Sequence, residues 1–221
     1  SDWEVIEKES EIAETAFAYL REYYMLEYEE KAIDDDGLSY VMEALESAVD
    51  SMHQGKPRSP TAAAALPRSH TAAAAFEYEL ERLNKELPYS SLQRDLKWQN
   101  HFLIGFFARY SVYHKAFAIF ESLNGFVRAH ESLLAQMKKD RRIANPSQVL
   151  EVPIASAKAQ YAHWAAEFSD VSQIHRTIVT TRSLVCKKRE ILKNMQKNGL
   201  LISGDLMNME NCLNNIFARL R

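Results

Sequence analysis

The sequence predicts an all-α fold, an αα-hairpin followed by a bundle of long antiparallel helices. Three observations carry this. Apolar residues recur every three or four positions through most of the chain, which is the repeat of one helix face. No segment alternates apolar and polar residues for long enough to make a strand. Glycine and proline are scarce, six of each in 221 residues, and 47% hydrophobic residues are enough to bury a core.

Taken in order, Val5, Ile12, Ala16, Tyr19, Tyr23 and Leu26 place one apolar face on a first helix. A turn at Ile33-Asp34-Asp35-Asp36-Gly37 follows, and Asp34, Asp35 and Asp36 offer carboxylates to cap the next helix. That helix carries Leu38, Val41, Leu45, Val49 and Met52 on a single stripe. Gln54-Gly55-Lys56-Pro57 ends it, so residues 1–53 read as an acidic αα-hairpin.

Residues 57–76 are one decapeptide written twice, PRSPTAAAAL and PRSHTAAAAF. Pro57, Pro60 and Pro67 force extended backbone before them, and the unit is too short for a solenoid repeat. The first copy therefore reads as a tether, with residues 54–70 a linker insertion. In the second copy Ser69 or Thr71 can cap a helix that runs from Ala72 through Phe76, Leu80, Leu83 and Leu87 to Pro88. Residues 71–221 are expected to form the helical bundle, one body with the hairpin.

From Ser90 to Lys139 no proline interrupts the chain, and one long helix is expected. Phe106, Tyr110, Tyr113, Phe117, Phe120, Val127 and Leu134 would face the core, with Ile119, Leu123, Phe126, Leu133 and Met137 widening the stripe. Asn145-Pro146 and Pro153 mark a loop. The stretch Ile154 to Asn198 follows, with Ile174, Ile178, Thr181, Leu184, Ile191 and Met195 as its inner face and a restart capped at Ser169-Asp170. Asn198-Gly199 fits a left-handed C-terminal cap. Ser203 then caps a last helix carrying Leu206, Met209, Leu213, Ile216 and Leu220.

Charge is unevenly divided. Residues 1–50 hold sixteen Asp and Glu against three Lys and Arg, a net of −13, so the remainder carries +10 of the chain's −3. The two parts can attract each other or face different partners. The basic clusters Lys138-Lys139-Asp140-Arg141-Arg142 and Lys187-Lys188-Arg189 read as solvated helix surface, with anionic lipid headgroups as the alternative. No nucleic-acid partner is expected, since no recognition-helix or RNP-like motif occurs. The longest apolar run near the middle, Phe102–Ala108, is far short of the roughly 18–20 residues that cross a bilayer. The start of the chain is acidic and lacks a signal-peptide pattern. Two cysteines, Cys186 and Cys212, make neither a disulfide framework nor a zinc site, which points to a reducing compartment.

No motif argues for an enzyme, a cofactor or a metal. Registering Gly37 at position 6 of a calcium loop places Asp34, Asp36 and Glu43 correctly but leaves Ala32 where the first carboxylate belongs. Helix capping explains the same acidic run. His130-Glu131 has no second histidine at Leu134, so it is no zinc helix. His163, between Tyr161 and Trp164, reads as a packed core histidine. Lys187 and Lys188 could lower the Cys186 thiol pKa, but no base or acid stands near it in sequence.

Asp2-Trp3, an acidic hairpin closing on YVMEALESAVDSM, an aromatic helix with AFAIFESLNGFVRAHESLL and a helix ending in LKNMQKNGLLISGDL follow one another. This order resembles the cytosolic helical region of salt-overly-sensitive-type plasma-membrane Na+/H+ antiporters, relatives of the sperm-type exchangers. The GFVRAH stretch (Gly125–His130) and the K-x-G-[IL]-[IL] turn (Lys197–Leu201) recur there in the same order. The resemblance covers almost the whole chain apart from the insertion between about Gln54 and Ala75.

It implies a membrane transport domain before Ser1, a cyclic-nucleotide-binding-like domain after Arg221, a homodimer, and a place on the cytoplasmic side of the plasma membrane as part of a membrane protein. The family's ion-binding carboxylates lie in the membrane part, so the resemblance assigns no catalytic, cofactor or metal residue to this chain. Its expected role is a regulatory connector between a distal sensor domain and the transport domain. The competing expectation is a free-standing soluble helical scaffold or adaptor whose apolar faces bind partner helices.

Overall fold

The computed structural model describes residues 2–30, 32–54, 72–98, 100–101, 105–139 and 146–218. The protein is all-α, with no strand among the described residues. The helices are α1 (Asp2–Glu29), α2 (Asp35–Gln54), α3 (Ala72–Glu86), α4 (Tyr89–Trp98), α5 (Gly105–Lys139), α6 (Pro146–Glu167), α7 (Ser169–Lys197) and α8 (Ser203–Ala218). The tether, the Ser69 and Thr71 caps, Arg141, Arg142, Asn145, Leu220 and the side chain of Val5 lie outside the described residues.

Helix α5 is the axis of the body. It packs against α1, α2, α4, α6 and α7, while α3 fills the space between α2 and α6. Its C-terminal part earns that place by composition, since Ile119, Phe120, Leu123, Phe126, Ala129, Leu133 and Met137 are all buried. One apolar core takes residues from α1 through the start of α7. Helix α3 begins at Ala72 as the sequence predicts, and Phe76, Leu80, Leu83 and Leu87 are buried. On α2, Val41 and Leu45 are buried and Leu38, Val49 and Met52 pack at the margin of the core, also as predicted.

Four expectations are corrected. On α1 the buried stripe is Ala13, Ala16, Phe17, Leu20 and Tyr24, and Leu26 is exposed. The helix is apolar and aromatic over a broad arc, which admits two stripes about one residue apart. The stripe that wins puts Phe17 on Phe76, with ring centroids 5.0 Å apart.

The helix expected from Ser90 to Lys139 is broken. Lys115 Nζ and Ser111 Oγ both donate to Asp95 Oδ2, at 2.5 and 2.6 Å, and fold α4 back along the first turns of α5. Backbone bonds from His101 N to Trp98 O and from Gly105 N to His101 O tie the corner. Phe106, Tyr110 and Tyr113, expected in the core, stand in solvent as a result.

Pro153, expected in a loop, is a buried residue inside α6. It forfeits one helical hydrogen bond, but burial of Leu150, Ile154 and Ala157 on the same helix holds the element together. Pro146 opens the helix, where a missing N–H costs nothing.

Helix α7 does restart after α6, but its N-cap is Phe168, with no side-chain cap from Ser169 or Asp170. Its inner face also differs. Val171, Ser172, His175, Arg182 and Val185 are buried, while Ile174, Leu184 and Ile191 are exposed. The face turned inward is partly polar, so apolar periodicity selected the wrong one.

The end of α7 follows the expected cap. Gly199 has φ of 70°. Leu200 N donates to Met195 O, and Gly199 N to Gln196 O, the paired bonds of a Schellman motif. Helix α8 then folds back onto α7. Ser203 is its first residue, and the helix's first N–H bond, from Leu206 N, goes to Ile202 O.

Candidate functional site

The chemistry-bearing side chains of the core gather where the α1–α2 turn lies on α5. The turn approaches closely because two glycines allow it. A Cβ on Gly125 of α5 would sit 3.0 Å from Ile33 Cδ1, and one on Gly37 would sit 2.8 Å from Ile33 Cγ1 and 3.3 Å from Glu121 Cβ. Ile33 is thereby buried and pins the turn to the helix. Asp34 caps α2 through Oδ1, which accepts from Gly37 N at 2.8 Å. Its own N–H donates to Glu121 Oε2 at 3.0 Å.

Glu121 is fully buried and its second oxygen accepts from Arg182 Nη1 at 2.8 Å. One carboxyl group thus joins the α1–α2 turn, the central helix and α7. Burial pushes the Glu121 carboxyl up to about 8, the neighbouring Asp34 carboxyl adds to the rise, and Arg182 opposes it. The buried group therefore holds a proton far more readily than a free glutamic acid.

His175, one and a half to two turns before Arg182 on α7, packs edge-on against Phe117 and stacks with Phe120, at centroid distances of 5.3 and 5.8 Å. Its Nδ1 lies 3.3 Å from Tyr161 Oη, and its buried Nε2 has no hydrogen-bond partner. Burial lowers its pKa to about 4, with Arg182 and Arg176 pushing the same way. At neutral pH the ring is uncharged.

A second buried cluster joins α1, α3 and α5. His130 Nδ1 faces the carbonyl oxygen of Phe126 at 2.9 Å, an acceptor, and so carries a proton. Its Nε2 lies 3.2 Å from Glu79 Oε2, with both side chains fully buried, and Tyr24 Oη donates to Glu79 Oε1 at 3.2 Å. Beside it Arg128 Nη2 lies 2.7 Å from Glu27 Oε1, tying α5 to α1 again. The GFVRAH stretch is thus a packing seam. Gly125 receives the turn, Phe126 and Val127 fill the core, Arg128 holds Glu27, and His130 holds Glu79.

These clusters join polar side chains on different helices through buried hydrogen bonds and ion pairs. Among the described residues no group of three or more His, Cys, Asp or Glu side chains could hold a metal ion. Asp35 accepts from Tyr28 Oη at 2.6 Å, and Asp36 lies 3.7 Å from His114, so the three aspartates point to separate partners. No described helix is long and apolar enough to cross a membrane.

Other sequence expectations fall differently. His163 is exposed, with its ring against Trp164, and the core histidines are His130 and His175. The Cys186 thiol is pushed up, by burial first and by the Glu30 charge second, with Arg189 opposing, and Sγ lies 3.4 Å from the backbone oxygen of Glu30. Lys187 is exposed, with Lys138 and Lys139, as a solvated face requires, and Lys188 is exposed at least in part. Glu121, Arg182, His175 and Glu79 were not singled out by sequence. Their only signal was a polar residue interrupting an apolar stripe.

The outer part of α7 and α8 forms an arm. Between them runs an apolar groove of about 400 Å³, lined by Ile191, Leu192, Met209, Cys212 and Leu213 with Lys188 at its edge. Arg189 Nη2 donates to Asn214 Oδ1 across the two helices.

No family model matches the chain, and no curated protein matches it.

Proposed function

We propose that the chain is the cytosolic regulatory and connector region of a dimeric Na+/H+ exchanger, coupling a distal sensor domain to the membrane transport domain. The ordered motifs from Asp2-Trp3 to Lys197–Leu201 support the reading. The observation that carries it is the buried Glu121 carboxylate, bonded at once to Asp34 N and to Arg182 Nη1. A displacement of α7 is passed through that carboxylate to the hairpin turn and to α5. In the exchanger reading, the hairpin adjoins the transport domain and α8 leads toward the sensor. Such a body regulates transport if its docking differs between transport states.

The decisive experiment measures Na+-driven proton exchange against cytosolic pH in the parent transporter. Removing the segment shifts the pH at which exchange turns on and leaves the transport chemistry intact. The combined changes Lys187→Glu, Lys188→Glu and Arg189→Glu shift the same set point less. An unchanged profile after deletion, in well-expressed protein, overturns the connector reading.

The second reading, a free-standing scaffold or adaptor, draws on the arm. Ile191, Leu200, Ile202, Met207 and Ile216 are exposed there beside the apolar groove. A parent reading frame with hydrophobic spans decides for the exchanger, and a stop codon after Arg221 for the adaptor.

A further inference from the structure

The corner between α4 and α5 presents the most exposed aromatic side chains of the described residues. Phe106 is 79% exposed, Phe107 72% and Tyr110 70%, with Tyr113 and Trp98 close to half. Phe106 and Phe107 pack edge to face, and the Trp98 ring leans on His101. The Asp95 bridge to Ser111 and Lys115 and the backbone bonds at His101 and Gly105 hold the ends of the two helices together, so these rings share one end of the body.

The rim is basic. Between residues 94 and 115 the sequence places Arg94, Lys97, Arg109 and Lys115 against Asp95 alone. Asp95 is held by Lys115 and lies 3.9 Å from Arg94 Nε, while the Arg94, Lys97 and Arg109 side chains are exposed. Asp36 lies 3.7 Å from His114, on α5.

We infer that this corner is a membrane-surface anchor that inserts Phe106 and Phe107 into the interfacial layer of an anionic lipid bilayer, with Arg94, Lys97 and Arg109 on the headgroups. Two features favour a bilayer over a protein partner. Side chains exposed to this degree project outward rather than line a groove that could receive a helix. The set is aromatic with a cationic border, the combination that partitions to the headgroup boundary and is drawn by its negative potential. The inference does not rest on the exchanger reading, because an adaptor could carry the same corner. It also moves the expected lipid contact from the clusters at Lys138 and Lys187 to a face where charge and aromatic surface coincide.

The test is flotation of the 221-residue chain with vesicles of phosphatidylcholine, with and without about 30% phosphatidylserine. The chain binds the anionic vesicles, and binding falls as salt is raised. The Phe106→Ser, Phe107→Ser double variant lowers binding about tenfold or more through loss of inserted apolar surface. Neutralising Arg94, Lys97 and Arg109 to Gln lowers it by about two orders of magnitude on anionic vesicles and removes most of the salt dependence. All five positions are exposed, and unchanged melting of both variants verifies the fold. No binding to anionic vesicles, or equal binding by the Ser variant, overturns the inference. So does a vesicle-free shift of the wild-type chain from dimer to monomer on the double Ser change, because the corner would then be a contact between copies.

Discussion

Arg182 Nη1 lies 2.8 Å from Glu121 Oε1 across 61 residues of sequence, and the glutamate is fully buried. The pair is not an isolated bridge, since the other glutamate oxygen holds the backbone of Asp34. Removing Arg182 leaves a buried acceptor without its partner, which costs about 1–3 kcal/mol when Glu121, whose pKa is already raised, takes up a proton. Arg182→Met is therefore expected to destabilise the fold by about that amount, and the double change Arg182→Met, Glu121→Gln by less. Urea denaturation of the three proteins measures it. A double variant no more stable than the single one would deny the coupling.

Glu121 also sets a pH response. Its folded-state pKa is raised to about 8, above that of the unfolded chain, so its contribution to stability is complete only below about 4.5 and is lost as pH rises from there to about 8. Between pH 5 and 8 the melting temperature of the wild-type chain should fall further than that of Glu121→Gln. Parallel curves would exclude Glu121 as the source.

His175 acts at the other end of the scale. Its pKa is depressed to about 4, so its contribution is present above about 6.5 and is lost as pH falls from there to about 4. The full loss is about 3 kcal/mol, from about 1.4 kcal/mol for each unit of pKa difference. The variant His175→Phe, which keeps ring packing on Phe117 and Phe120, should flatten the acid limb of a stability–pH curve. An acid limb unchanged in that variant assigns the loss to other groups.

How much of this was legible in the sequence depends on what each residue balances. The Phe76, Leu80, Leu83 stripe and the Gly199 cap could be read because local spacing and backbone geometry alone decide them. The break before Gly105 could not, because no proline or glycine pair marks it. It is made by Asp95 reaching Ser111 and Lys115 in the next helix. The inner face of α7 was misread for a related reason: Arg182 and His175 are buried by partners on other helices, and apolar periodicity does not register a paired charge.

Phe120 and Phe106 test that distinction directly. Phe120 is fully buried, and its replacement by Ala should cost about 3–5 kcal/mol. The same change at Phe106, which the sequence stripe treats as equivalent, should stay within about 0.5 kcal/mol. Equal losses in urea denaturation would place Phe106 in a packed environment.

Gly37→Ala probes the close approach of the turn. The new methyl would sit 2.8 Å from Ile33 Cγ1 and 3.3 Å from the Glu121 Cβ atom. Relief requires the turn to lift, and overpacking of this kind costs about 1–3 kcal/mol, more than the helix propensity gained. A stabilised variant in thermal unfolding would show that the turn has slack.

Helix α7 packs on the body from Val171 to Cys186 and carries α8 on its outer turns, and that division has a mechanical consequence. Its 29 residues span about 43 Å, of which about 22 Å lie between Arg182 and the last turn. With Arg182 as the fulcrum, a tilt of about 10° swings the far end through about 4 Å, at a rise of about 1.5 Å per residue. Helix α8 rides on that end. Arg182 stands near the midpoint of the helix, so a rigid tilt there moves both ends by similar amounts, and α8 follows the outer one.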